Sequence, residues 1–171
     1  MNRILLFLFL ILCLNPNQTY SQDIPKFKVM GQCWGSLSLL VSPSTTKDQL
    51  KSLVYAFKEA RQNNTLSQMI PPTTNGDIKG SYALIQIYIF DEPKWATEKN
   101  LKNIGDPNIS SVYSDSDKNK RKKFVKQISQ HVRAYYWANW IGQEIGSIGI
   151  STGAWGETMI TPGYESLFRK E

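Results

Sequence analysis

Tyr82-Ala83-Leu84-Ile85-Gln86-Ile87-Tyr88-Ile89-Phe90 is the stretch on which the fold turns. Ile85, Ile87 and Ile89 alternate with Leu84, Gln86, Tyr88 and Phe90, the period of two that a strand requires. Both faces are largely apolar, so a central strand is expected. Asp91-Glu92-Pro93 ends it.

The flanking segments read outward from this strand. Upstream, residues 46–63 carry Leu50, Leu53, Val54, Phe57 and Ala60 on one stripe at the helical period. Thr45 or Thr46 can cap that helix, with Gln49 three residues after Thr46 as in a capping box. Before it, residues 28–41 read as a strand kinked at Gly31 and Gly35. Between helix and central strand, residues 64–80 hold Pro71-Pro72, Gly76 and Gly80 and read as a long loop. Downstream, a short helix is expected over 93–103 and a loop over 106–114. A long helix over 116–140 has Phe124, Ile128, Val132 and Tyr135 as its stripe. A third strand over 143–150 and a short edge strand over 158–160 complete the chain.

The fold class expected from this order is α+β. It is a small, largely antiparallel sheet of three to four strands with the helices on one face, a two-layer sandwich. Ile85, Ile87 and Ile89 then face one helical layer together with Leu53, Phe57, Ile128 and Val132. The other economical arrangement is a right-handed βαβ crossover that makes a central pair parallel.

The first residues point out of the cytoplasm. Met1-Asn2-Arg3 is basic, Ile4 to Leu14 is an apolar run of eleven residues, and Thr19 and Ser21 form a small-residue cleavage site. Residues 1–21 are therefore expected to be a cleaved signal peptide, and 22–171 a single exported domain, extracellular or periplasmic. The apolar run is shorter than the roughly 20 residues a membrane-spanning helix needs. No other run approaches that length, so the mature chain is expected to be soluble, with no transmembrane segment. At 150 residues it suits one domain.

Charge and cysteine content narrow the chemistry. The chain carries 20 basic and 14 acidic side chains, and loss of Arg3 with the signal leaves 19 and 14. A balance of this size favours anionic over cationic surfaces without specifying a partner. Cys13 departs with the signal, so Cys33 stands alone and no internal disulfide can hold the fold.

Cys33 and His131 are the residues from which a thiol hydrolase could be built, as nucleophile and base, with Glu144 or an Asn to orient the base. That chemistry needs an accessible thiolate beside the imidazole. Cys33 falls inside a strand, however, and His131 beside an apolar stripe, the positions of structural residues. A closed zinc site needs four ligands, which one Cys and one His cannot approach without carboxylates. No metal and no cofactor are expected.

Two surface features remain. Lys118, Lys120, Arg121, Lys122, Lys123 and Lys126 form a basic run suited to an anionic surface. No aromatics interleave with it to stack bases, so nucleic acid is not expected. Tyr135, Tyr136, Trp137 and Trp140 crowd the end of the expected long helix, more aromatics than its one core face can take, so at least one stands at a rim where Trp and Tyr anchor interfaces. The expected function is a non-catalytic binding or interaction protein of the envelope or extracellular space. The partner is a protein or an anionic envelope surface. Contacts would come from Tyr136, Trp137, Trp140, Lys120, Arg121 and Lys123. The Cys33–His131 hydrolase is the alternative.

Overall fold

A computed structural model describes residues 23–105, 115–152 and 159–171. The expected signal peptide, its cleavage site and the loop 106–114 lie outside the described residues, as do the side chains of 115–119, 121, 122, 152 and 159.

The single strand expected over 28–41 is a hairpin. β1 (Phe27–Cys33) and β2 (Ser36–Val41) pair antiparallel around Trp34-Gly35. Gly35 has φ +74, a conformation that L side chains rarely adopt, and a Cβ there would lie 2.8 Å from Leu84 Cδ2. The glycine that looked like a kink is the turn itself.

α1 (Lys47–Gln62) begins where the capping box placed it. The Gln49 amide donates to Thr46 Oγ1 at 3.2 Å and the Thr46 amide to Gln49 Oε1 at 3.0 Å. The helix carries the chain across to β3 (Leu84–Phe90), which lies parallel to β2. α2 (Glu98–Gly105) and α3 (Asp115–Ser129) follow. After them come β4 (Ala134–Asn139), β5 (Glu144–Ile148), β6 (Ser151–Thr152), β7 (Met159–Ile160) and β8 (Glu165–Lys170).

The main sheet has six strands in the order β1-β2-β3-β4-β5-β8, with β2–β3 parallel and every other pair antiparallel. The protein is α+β in general kind, but the expected sheet of three to four largely antiparallel strands is wrong. It is a six-stranded mixed sheet with three helices among the described residues. Three local features produce the difference. The Trp34-Gly35 turn divides one strand into two. Residues 134–139, expected as the end of a long helix, form β4. β8 has no period-two pattern strong enough to announce it. The expected edge strand near 158–160 appears as β7, paired with β6 in a separate two-stranded sheet.

The helices also cover both faces. Ile85, Ile87 and Ile89 bury against Leu50, Leu53, Val54 and Phe57 of α1. On the opposite face Tyr88 and Phe90 pack with Leu101 of α2 and Ile128 of α3. The expectation that Ile128 and Val132 share a layer with the three isoleucines is therefore corrected: the sheet stands between them. β4 repeats the alternation, with Ala134, Tyr136 and Ala138 buried toward α1 and Tyr135, Trp137 and Asn139 only half-buried on the other side.

The loop between α1 and β3 is fixed by two buried threonines. Thr73 Oγ1 donates to the Leu84 carbonyl at 2.6 Å, and Thr74 Oγ1 donates to the Gly80 carbonyl at 2.8 Å while accepting from the Ala83 amide at 2.9 Å. The Gly35 amide donates to the Thr73 carbonyl at 2.9 Å, tying this loop to the β1–β2 turn. These bonds place the loop that carries Ile78 and Lys79 at one end of the sheet.

Candidate functional site

Three tryptophans, two from turns and one from a strand, meet at that end. Trp34 occupies the β1–β2 turn, Trp137 lies on β4 opposite Gln86 and Ile145, and Trp140 occupies the β4–β5 turn. They line a groove of about 280 Å³ together with Leu84, Lys79 and Asn139. Trp34 is 65% exposed and Trp140 57%. Lys79 Nζ stands 3.9 Å from the centroid of the Trp140 ring, a cation–π contact.

Local sequence explains why the β4–β5 turn holds Trp140 in place. Gly142 has φ +90, and its amide donates to the Asn139 carbonyl at 3.1 Å. The Asn139 side chain closes the turn from both directions: Nδ2 donates to Gln143 Oε1 at 2.7 Å, and Oδ1 accepts from the Gln143 amide at 3.1 Å. Trp140 and Ile141 are left at the tip, both more than half exposed. Ile78, on the threonine-pinned loop, is 99% exposed.

Behind the groove lies a hollow of about 540 Å³ that includes Arg61, Lys79, Lys170, Ser81 and Glu144 in its lining. Glu144 is 4% exposed, so its charge must be met inside the protein. Tyr136 Oη donates to Glu144 Oε1 at 2.6 Å, and Arg61 Nη1 stands 3.8 Å from the same oxygen. Arg61 Nη2 also donates to the Asn139 carbonyl. Burial, then the hydrogen bond to Glu144 and its charge, hold the Tyr136 phenol well above the usual tyrosine range. The phenol is therefore a fixed donor to the carboxylate. The group is a buried acid with one hydrogen-bond donor and one guanidinium nearby, joining the C-terminus of α1 to β4 and β5.

The residues singled out in the sequence separate on the structure. Trp137 and Trp140 come together in the groove. Tyr136 is fully buried in the core beside Phe57, their ring centroids 5.9 Å apart, and offers no outer surface. Lys120 and Lys123 are exposed on α3, while the side chain of Arg121 lies outside the described residues. Trp34 was not among the expected binding residues. Its signal was the glycine after it, which turns a strand into a hairpin tip.

Cys33 and His131 are not brought together. Cys33 is half-buried at the margin of the cluster under α2, level with Ser36 and Gln86. His131 lies beyond the Phe90 end of β3, about 13 Å further along the strand at roughly 3.3 Å per residue. Its ring stacks on Trp95 with centroids 4.2 Å apart, and its Nδ1 is 3.4 Å from Glu92 Oε1. Glu144 belongs to the Tyr136 and Arg61 group. Among the described residues no three His, Cys, Asp or Glu side chains converge as metal ligands do, and no helix is long and apolar enough to cross a membrane.

Comparison with protein families, with curated proteins and with solved structures gave no match for this chain.

Proposed function

We propose that residues 22–171 form an exported, non-catalytic binding domain that holds an anionic component of the envelope or extracellular space in the tryptophan groove. The observation that carries this reading is the convergence of Trp34, Trp137 and Trp140 on one end of the sheet, with two of the rings more than half exposed. Burying a large aromatic ring stabilises a fold by about 1.5–3 kcal/mol, and here that gain is left unused. Contiguous exposed apolar surface of this kind marks an interaction site. The walls are pinned by the Thr73, Thr74 and Asn139 hydrogen bonds, so a ligand meets a preformed surface and loses little ordering entropy on binding.

Export supports the same reading from the sequence side. The basic start, the apolar run and the small-residue site at Thr19 and Ser21 are the three parts of a secretory signal in order.

The test is retention on the immobilised mature domain of material from the extracellular and envelope fraction of the source. Wild type is expected to retain a component. The Trp34→Ala/Trp140→Ala double variant is expected to lose at least about tenfold of that retention, while its unfolding midpoint stays close to wild type because surface changes cost within about 0.5 kcal/mol each. Equal retention by the double variant would overturn the groove as the site. No retention by wild type would overturn the binding reading.

A further inference from the structure

The groove continues past Trp140. Lys79 lines both the tryptophan groove and the hollow behind it, so the two form one surface with an aromatic half and a cationic half. In the cationic half Arg61, Lys79 and Lys170 face a single acid, Glu144. That acid is buried and already engaged by Tyr136 and Arg61. In the aromatic half Asp77 lies near Lys79, and its Oδ1 accepts from the Lys79 amide at 2.8 Å. The hollow is thus net positive at the two lysines, beside a strip of indole rings.

We infer that this surface takes an acidic saccharide, its pyranose rings laid on Trp34 and on the face of Trp140 that Lys79 does not cover, and a carboxylate held between Lys79 and Lys170. The inference rests on the reading of the groove as a binding site and names its ligand class. A pyranose has a flat face of C–H bonds that packs on an indole, with its hydroxyl rim still hydrated. Both halves of this surface are open and mix polar with apolar lining. That suits a ligand that stays wet. An apolar small molecule would need a closed pocket covering most of its surface.

An extended peptide that adds a strand needs an unpaired sheet edge. The edges here are β1 and β8, and only Trp34 and Lys170 adjoin them, whereas Leu84 and Trp137 lie on β3 and β4, which are paired on both sides, so the surface crosses the end of the sheet and does not run along an edge. Gln62, Asn64 and Ser81, also in the hollow, supply amides and a hydroxyl for sugar hydroxyls. The carboxylate gains charge-assisted hydrogen bonds from the lysines, stronger than neutral ones.

Isothermal titration calorimetry on the mature domain tests this with three probes: a hexamer of galacturonic acid, a neutral galactose hexamer and a polyglutamate peptide. The galacturonate hexamer is expected to bind, at least about tenfold more tightly than the neutral hexamer, and more weakly as salt rises. Lys170→Glu, far from the core, and Lys79→Ala are each expected to weaken it several-fold, and Trp34→Ala/Trp140→Ala to abolish it. Polyglutamate binding as tight as the saccharide, unchanged affinity in the lysine variants, or no heat with galacturonate would each overturn the inference. If galacturonate fails while the double tryptophan variant still loses the retained envelope component, the ligand class falls and the groove stands. If that variant retains the component, both fall.

Discussion

A methyl group on Gly146 would lie 2.3 Å from Phe168 Cζ and 2.7 Å from Val54 Cγ1. At this β5 position Val54 of α1 and Phe168 of β8 both lie over the sheet, and the missing side chain leaves the space that the Phe168 ring fills. Gly146→Ala is expected to cost about 1–3 kcal/mol through overpacking, read as a lower denaturant midpoint with an unchanged slope. A neutral result would mean that Phe168 swings aside freely. Glu144, two residues earlier, shows what single residues conceal. The sequence offers an acid between glycines. Its burial comes from Tyr136 across the ladder and Arg61 from another element, partners no local pattern announces. Cys33 and His131 separate for the same reason, since spatial neighbours are set by strand register. His131→Ala is therefore expected to leave the rate of thiol labelling at native Cys33 unchanged. A labelling rate that drops in His131→Ala would restore the dyad.

Elements show how far a periodicity can be trusted. The α1 stripe and the β3 alternation were legible because each carries apolar residues at one period over its whole length. Residues 116–140 mislead because the 3.6 period of Phe124, Ile128 and Val132 runs on by coincidence into Tyr135. The helix ends at Ser129, and the chain re-emerges as β4 with no Pro or Gly at the boundary. The clue lay in Tyr135-Tyr136-Trp137, aromatics that favour strands, with Ala134, Tyr136 and Ala138 alternating at period two. Because Ile87 and Ile128 bury on opposite faces, each truncation should act alone. Ile87→Ala and Ile128→Ala are each expected to cost about 2–5 kcal/mol. The double variant should equal their sum within about 0.5 kcal/mol. A coupling above about 1 kcal/mol would place them in one layer and contradict the two-sided sheet.

For the whole molecule, the sequence made the α+β kind and the aromatic crowding legible but not the sheet's size or the groove. Trp34 is about a hundred residues from Trp137 and Trp140, and only the parallel β2–β3 pairing through α1 brings them to one end. The proposed export is a whole-chain property too. The mature N-terminus is expected at Gln22, read by N-terminal sequencing, and retention of residues 1–21 would contradict it. Two surfaces then compete to be the binding face: the tryptophan groove and the basic run on α3. Hydrogen exchange on the mature domain, with and without the component it retains, decides between them directly. Slowed exchange is expected at residues 34–36, 77–84 and 137–143. Protection confined to residues 116–129, or none at the tryptophan turns, would contradict it.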